Sequence, residues 1–135
     1  MNLKAIQYLL PQCHIQGIEI NERAHRELGK VVGHENAIHA SILEHPTTEK
    51  CDLSFIKGVL IHIAPEMLEH AYDCLYNASN RFILIGEYYS SNPTSIEYRG
   101  HQERLFKRDF AGDMLDRFTD LELLDYGFVY HRDRN

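Results

Sequence analysis

Apolar residues recur along the chain at two spacings, which predict helices and strands in alternation. Helical spacing predicts four helices, with Pro11 ending the first, and Asn21 and Gly33 capping the second at its two ends. Runs rich in β-branched or continuous apolar residues predict the strands between them. The predicted helices are 3–10, 22–32, 65–75 and 109–118, and a helix-like turn covers 59–62. The predicted strands are 14–20, 37–42, 53–57, 81–87 and one or two within 121–130.

This order predicts an α/β fold. Strands that alternate with helices form a mostly parallel sheet with helices on both faces. The continuous apolar run 82–86 is typical of a parallel strand that is buried on both sides. A chain of 135 residues is expected to form one domain with a core of its own. Ligands of open α/β sheets bind at the carboxyl ends of the strands, so the residues that follow each strand are the first candidates for a site.

Composition narrows the class of protein. The chain is 44% hydrophobic and 25% charged, as is ordinary for a globular protein, and its net charge of −6 argues against a general nucleic-acid or membrane-surface binder. No apolar run approaches the ~18 residues of a membrane span. Cys13, Cys51 and Cys74 form no CxxC pair, which favours reduced thiols and a cytoplasmic protein. The nine histidines show no metal-ligand spacing, so we expect no metal site.

Two strand ends carry candidate chemistry. The predicted strand over 14–20 holds a single carboxylate, Glu19, near its end. The strand in 51–57 ends in Lys57 and Gly58, and an apolar turn follows. A carboxylate at the end of one strand, with an open strand-to-helix turn on a nearby strand, is an arrangement that holds nucleotide-like cofactors.

Four segments in order, GIEIN, ASIL, CDLSFIKGVLIHI and RFILIGEYYS, resemble a class I S-adenosylmethionine-dependent methyltransferase. A later segment, EYRGHQERLFKRDFAGDM…LDYGFVYHRD, is similar to the methylases associated with pseudaminic acid biosynthesis. The resemblance covers essentially the whole chain. It implies a doubly wound, mostly parallel sheet of the Rossmann-like type and S-adenosylmethionine as the cofactor. The implied reaction is methyl transfer to a sugar or sugar nucleotide in pseudaminic, nonulosonic or other surface-glycan biosynthesis, with no nucleic-acid or membrane partner.

The resemblance also implies which residues bind the cofactor. The Glu19 carboxylate would accept the ribose hydroxyls, and Ser41 and Ile42 would bracket the adenine. Ala40 departs from the acidic residue that many relatives carry there. The implied cofactor-binding set is Asn2, Glu19, Ile20, Ser41, Ile42, Lys57 and Gly58. Two plainer interpretations stay open: a strand-end glutamate that faces solvent, and a lysine whose stem lies along the apolar surface.

The acceptor would lie beyond the strongest predicted strand, 81–87. General-base candidates are Glu87 and His101, with Tyr98 as a further one. Arginine suits bidentate binding of carboxylate or phosphate, and pseudaminic-type sugars carry a carboxylate. The implied substrate-binding set is Tyr88, Tyr89, Tyr98, Arg99, Arg104 and Lys107. The plainer interpretation is a solvated cationic loop that pairs with Asp109, Asp113 and Asp116, and His62 is interpreted as structural.

Compared with the family pattern, the chain is expected to be an incomplete domain, truncated at both ends. The resemblance starts at Met1, Asn2 and Leu3, after the family's central strand and glycine-rich loop, and it stops before the last strand. We therefore expect weak cofactor binding by this chain alone, and a rearranged sheet or a homo-oligomer. One alternative is a non-catalytic methyltransferase-fold remnant that acts as a binding or assembly module. A dinucleotide-dependent oxidoreductase is disfavoured because GVLIHIAP resembles methyltransferases.

Overall fold

The computed structural model describes residues 2–44, 49–98, 101–130 and 132, which form an α/β arrangement of helices and small sheets. The helices are α1 (Asn2–Leu9), α2 (Glu22–Val32), α3 (Leu68–Ala78) and α4 (Phe110–Arg117). The strands are β1 (Gly17–Glu19), β2 (Ala37–His39), β3 (Cys51–Lys57), β4 (Ser79–Gly86), β5 (Thr94–Tyr98) and β6 (His101–Lys107). Short 3-10 turns cover His34–Asn36, Leu60–His62 and Pro65–Met67.

By its internal contacts the chain divides into two compact units. Unit 1 comprises residues 1–54 and 67–83, and unit 2 comprises residues 55–66 and 84–135. The strands pair two by two, as β1–β2, β3–β4 and β5–β6. Over the part of the chain that is described, none of the helices has the length and apolarity needed to cross a membrane.

Helix α2 has the bounds that the sequence predicts, because both of its ends are set by local chemistry. The side chain of Asn21 accepts a hydrogen bond from the Ala24 N–H, which would otherwise lack a partner in the first turn. Gly33 follows the last residue with φ of 92°, a conformation that favours glycine, and its N–H bonds to the Gly29 carbonyl.

The β1–β2 sheet is a parallel pair that α2 connects. Gly17 lies opposite Ala37, and Glu19 lies opposite His39. Because the strands are parallel and pair without a shift, the carboxyl ends of both strands lie at the same edge of the pair. Both strands are shorter than the predicted runs 14–20 and 37–42, since only three residues of each meet a partner.

The β3–β4 pair also runs in one direction. At its start, the Cys51 thiol donates to the carbonyl of Ala78, the residue before β4. At its end, the Gly58 N–H donates to the Gly86 carbonyl. The prediction that β4 is buried on both faces is wrong, because Phe82 and Leu84 are 41% and 50% exposed. This strand therefore exposes apolar side chains on one of its faces.

A hairpin that the sequence did not predict lies within 88–107. Strands β5 and β6 pair antiparallel, with Thr94 opposite Lys107 and Ile96 opposite Leu105. The polar composition of this stretch indicated a loop, whereas an antiparallel pair needs only one apolar face. Leu105 supplies that face and is 7% exposed.

The prediction of one or two strands within 121–130 is wrong. This segment carries no assigned strand or helix, and most of its apolar side chains are exposed. Tyr126, Phe128 and Val129 are 87%, 88% and 87% exposed. An apolar run becomes a strand only when its backbone groups find a partner edge, and the described chain pairs no strand with it.

Each unit has its own set of buried side chains. In unit 1, the buried apolar residues all lie on one stripe of α3: Leu68, Ala71, Tyr72 and Leu75. In unit 2, they come from β3, the 59–63 turn, β6 and α4: Ile56, Leu60, Ile61, Ile63, Leu105, Phe110 and Met114. Asp109 starts α4 by accepting a hydrogen bond from the Gly112 N–H. Helix α1 has no buried residue.

The cap at Asn21 gives a first prediction. Asn21→Ala should lower the free energy of unfolding by about 1 kcal/mol, because the Ala24 N–H loses its acceptor. The matched control is Asn77→Ala, the same substitution at an exposed site inside α3, which should leave stability unchanged or slightly raised. Urea unfolding followed by circular dichroism measures both. Equal losses for the two variants would show that the cap contributes nothing specific.

Candidate functional site

Glu19 ends β1 and lies half-buried directly before the cap of α2. Its Oε1 accepts a hydrogen bond from the Asn21 N–H at 2.8 Å. The carboxylate thus lies close to the start of α2, where unpaired N–H groups favour negative charge. Among the described residues, Asn21 is the one donor to this carboxylate, so Oε2 can accept from a ligand hydroxyl.

The residues after β2 lie at the same edge as Glu19. With Glu19 opposite His39, the register places Ser41 and Ile42 just beyond the end of the pair. Ser41 closes a tight turn, because its Oγ accepts from the Leu43 N–H at 3.2 Å and its carbonyl accepts from the Glu44 N–H at 3.1 Å. The structure therefore brings together four predicted residues, and we call them the β1–β2 edge: Glu19, Ile20, Ser41 and Ile42.

Two histidines that the sequence analysis left unassigned hold this edge in place. The His25 and His39 rings stack with centroids 4.9 Å apart. His25 donates from Nε2 to the Ala37 carbonyl at 3.1 Å, and His39 donates from Nε2 to the Ile20 carbonyl at 3.0 Å. In the sequence, the only indication of this contact was one histidine in the predicted helix 22–32 and one in the predicted strand 37–42. The described residues contain no group of three His, Cys, Asp or Glu side chains that could hold a metal ion.

Asn2 lies at the start of α1, and Lys57 lies at the end of β3. Asn2 is the exposed first residue of α1. Lys57 ends β3, and its stem lies over Gly86, since a Cβ built on that glycine would approach Lys57 Cγ to 3.2 Å. Gly58 has φ of 65°, which only glycine adopts readily, and this turns the chain away from the sheet.

Glu87 follows β4 and closes the turn after β3. Its Oε1 accepts hydrogen bonds from the N–H groups of Val59 and Leu60 at 2.9 and 3.0 Å. Its Oε2 is buried and has no hydrogen-bond partner in the described structure. We call residues 57–60 together with Glu87 the Glu87 clamp. The residue predicted as a general base therefore holds the turn through one oxygen and leaves the other unpaired. Sequence reasoning missed this contact, which joins residues 27 and 28 positions apart.

The predicted substrate-binding residues are described only in part. Tyr88 and Tyr89 are 59% and 68% exposed, and the Lys107 ammonium lies over the Tyr88 ring at 5.2 Å. His101, Arg104 and Tyr98 belong to the hairpin by their backbones, but their side chains lie outside the described structure, as does the whole of Arg99.

The plainer interpretation of the cationic segment, pairing with the nearby aspartates, holds for its last residue, Arg108. Arg108 pairs with Asp113 at 2.6 Å, and both side chains are about three-quarters buried, with 26% and 27% exposed. Asp109 is engaged as the cap of α4. These two carboxylates are therefore committed to Arg108 and to the helix, whereas Lys107 contacts an aromatic ring.

A cysteine–histidine pair on α3 does not form a nucleophilic centre. Cys74 Sγ lies 4.0 Å from His70 Nε2, which already donates to the Leu43 carbonyl at 2.8 Å. Burial raises the pKa of the Cys74 thiol, and the Asp73 carboxylate adds to the rise. Because the thiolate is the reactive form, both effects make this cysteine a poor nucleophile.

Comparison with protein-family models, curated proteins and solved structures finds no match to this chain. The site is therefore interpreted from its own geometry. Unit 1 contains the β1–β2 edge with an available carboxylate oxygen, and unit 2 contains the Glu87 clamp and the Tyr88–Lys107 contact.

The Glu87 clamp gives a second prediction. Glu87→Ala should lower the free energy of unfolding by about 1.5–3 kcal/mol, because two backbone donors lose a charged acceptor. Glu87→Gln keeps an oxygen acceptor and should lose less. Amide exchange should accelerate at Val59 and Leu60 in the alanine variant, as measured by NMR.

Glu66→Ala serves as the control, since this glutamate is exposed and lies outside the Glu87 clamp. Its stability should stay close to that of the unmodified chain. Unchanged exchange at Val59 and Leu60 in Glu87→Ala would show that the carboxylate does not hold the turn.

Proposed function

We propose that this chain is a methyltransferase domain of class I that uses S-adenosylmethionine and acts on a sugar or sugar nucleotide of pseudaminic, nonulosonic or other surface-glycan biosynthesis. The sequence resemblance supports the family and the substrate class. The observation that carries the cofactor assignment is the β1–β2 edge, where Glu19 ends one parallel strand and the Ser41–Ile42 turn ends its neighbour.

The β1–β2 edge suits the nucleoside part of the cofactor. A ribose has two adjacent hydroxyls, and the Glu19 carboxylate has one oxygen, Oε2, with no hydrogen bond to a described residue. The other oxygen is held by the Asn21 N–H, so the carboxylate is oriented before a ligand arrives. Ile20 and Ile42 add apolar surface for a purine, and Ile20 is 67% exposed. We propose Asn2, Lys57 and Gly58 as the residues that bind the methionine portion of the cofactor.

The proposed fold is the doubly wound sheet of this family. In such a sheet the strands lie in the order 3-2-1-4-5, where the numbers follow the family's chain and not the labels used above. The family's strand 1 is therefore central, with a parallel pair of strands on each side of it. The chain contains two pairs of parallel strands, β1–β2 and β3–β4, and the first of them is joined through a helix. These pairs support the assignment of β1 and β2 to the nucleoside half of the sheet.

S-adenosylmethionine supplies, when bound, a methyl group on a sulfonium that a nucleophilic oxygen or nitrogen can attack. This chain's own residues would position the acceptor and hold its proton. Glu87 Oε2 is the proposed site for that proton, since it is buried and lacks a hydrogen-bond partner among the described residues. His101 stays the second candidate for this role.

An acidic chain needs a local positive surface to recruit an anionic acceptor. Lys107 lies over the Tyr88 ring, and Tyr88 and Tyr89 are exposed. A sugar ring packs on aromatic faces, and an ammonium beside such a face pairs with a carboxylate or phosphate. Arg99 and Arg104, with Tyr98, are proposed to extend this surface.

A second candidate function is a non-catalytic binding or assembly module. It is favoured by the apolar side chains that the chain exposes on β4 and within 121–130. It is also favoured by the Glu87 clamp, in which the proposed base already serves the backbone. The two functions differ in nucleoside binding, which only the first requires.

The nucleoside assignment gives a third prediction. The unmodified chain should bind adenosine more tightly than 2′-deoxyadenosine by about tenfold, because a hydroxyl bound to a carboxylate contributes about 1.5–3 kcal/mol. In Glu19→Ala this difference should vanish. NMR titration of the full chain measures both affinities even when binding is weak, and S-adenosylhomocysteine against NAD then separates a methyltransferase from an oxidoreductase.

The control for this experiment is Glu22→Ala. Glu22 is the first residue of α2, is 71% exposed and pairs with Arg26 on the surface of the helix, so its loss should leave the tenfold difference intact. A difference that persists in Glu19→Ala, or one that is absent from the unmodified chain, would remove Glu19 from the proposed site.

The acceptor assignment gives a fourth prediction. Lys107→Gln should weaken binding of a CMP-linked nonulosonic acid by about tenfold, because it removes the charge over Tyr88. Arg104→Lys should also weaken it, since lysine keeps the charge but loses the planar fork. Lys50→Gln, at an exposed site before β3, is the charge-matched control and should have no effect. Adenosine affinity should be the same in all three variants.

A further inference from the structure

Two features of the chain expose apolar side chains. The first is β4, whose one strand neighbour among the described residues is β3, and which exposes Phe82 and Leu84. These two side chains lie on one face of the strand because they are two residues apart. The second feature is the segment 121–130, which we call the donor segment.

The donor segment has the composition of a strand but not the pairing. Its residues Leu124, Tyr126 and Phe128 alternate at strand spacing and are 71%, 87% and 88% exposed. Ten extended residues span about 33 Å, enough to follow an eight-residue strand such as β4. An exposed strand edge and an exposed apolar segment each favour association with a further chain.

We propose that the donor segment of one copy pairs as a strand with the open edge of β4 in a second copy, and that two copies exchange these segments reciprocally. This inference does not rest on the proposed catalytic function. Each copy carries both the donor and the acceptor, so the contact occurs twice and closes on itself as a two-fold dimer. The occupant of the β4 edge is thus a second copy of this chain.

The area available matches what a stable dimer needs. An aromatic side chain buries about 150–250 Å². The two nearly fully exposed aromatics of the segment, counted in both copies, would remove up to about 600–1,000 Å² when fully covered, and the surfaces that cover them would lose a similar area. The total reaches the roughly 1,200–2,000 Å² of stable interfaces before Leu124 and Val129 are counted.

Charge favours the same pairing. The donor segment carries Glu122 and Asp125, and its ten residues contain no lysine or arginine. On the acceptor strand, the exposed Arg81 guanidinium lies over the Phe82 ring at 4.9 Å. An acidic strand that lies along β4 would bring its carboxylates near this cation, whereas the acidic charge of the whole chain opposes random association.

Sedimentation velocity of the full chain over a concentration series tests the proposal. The unmodified chain should form a dimer and no larger species. The double variant Tyr126→Ser, Phe128→Ser should raise the dissociation constant of the dimer at least about tenfold. The matched control is Tyr8→Ser, Leu9→Ser in α1, whose side chains are 85% and 71% exposed, and this control should not change the constant. Because the side chains of Tyr126 and Phe128 are 87% and 88% exposed, the donor variant should fold normally.

A mixing experiment distinguishes reciprocal exchange from any other dimer. Leu84→Asp alters the acceptor and leaves the donor intact, and Arg81→Glu is a second acceptor variant in case the first fails to fold. The donor variant and an acceptor variant should each be monomeric alone, and their mixture should associate, because one intact contact remains in the mixed dimer. A monomeric unmodified chain, open-ended growth, equal weakening by the α1 control, or no association in the mixture would overturn the proposal.

Discussion

Each strand of this protein has one strand neighbour among the described residues, so one row of backbone N–H and C=O groups on every strand must be satisfied by something else. Parallel pairs of two strands are marginal on their own and depend on the elements that cover them. In unit 1 that element is α2, whose caps at Asn21 and Gly33 hold its length and whose His25 bonds to β2 at Ala37. The position of Glu19 depends on this arrangement, because β1 runs directly into the cap of α2.

At the strand ends, side chains make hydrogen bonds to backbone groups. Histidine donors meet the carbonyls of Ala37 and Ile20, and the Glu87 carboxylate meets the N–H groups of Val59 and Leu60. The same strand ends are where an α/β sheet presents its ligand site. One carboxylate oxygen of Glu19 and one of Glu87 thus order the chain, and the second oxygen of each makes no hydrogen bond to a described residue. A ligand that needed both oxygens would have to displace a backbone contact first.

How much of the fold could be predicted from the sequence depends on how far apart along the chain the interacting residues are. The bounds of α2 were predictable because caps act over three residues. The cap of α4 at Asp109 acts over the same range, although the predicted helix 109–118 includes Asp109. The hairpin β5–β6 was not predictable, since its single apolar pair, Ile96 and Leu105, gives a weak local pattern. The strands predicted within 121–130 are absent for the opposite reason: the apolar pattern is strong, but no described strand pairs with this segment. Glu19 and Ser41 were expected at strand ends, yet the clamp by Glu87 depends on two loops meeting, which no local pattern encodes.

The proposed nucleoside site and the proposed segment exchange use different parts of the chain, so each can be wrong without the other. The nucleoside assignment depends on residues 19–42, all in unit 1, with Glu19 as its one charged contact. The exchange depends on β4 and on residues 121–130, and none of these contributes to the β1–β2 edge. Binding of adenosine should therefore not change with protein concentration, although dimerisation does. A nucleoside affinity that rose on dimerisation would mean that the exchanged segment orders the edge, and the site would then belong to the assembly instead of the single chain.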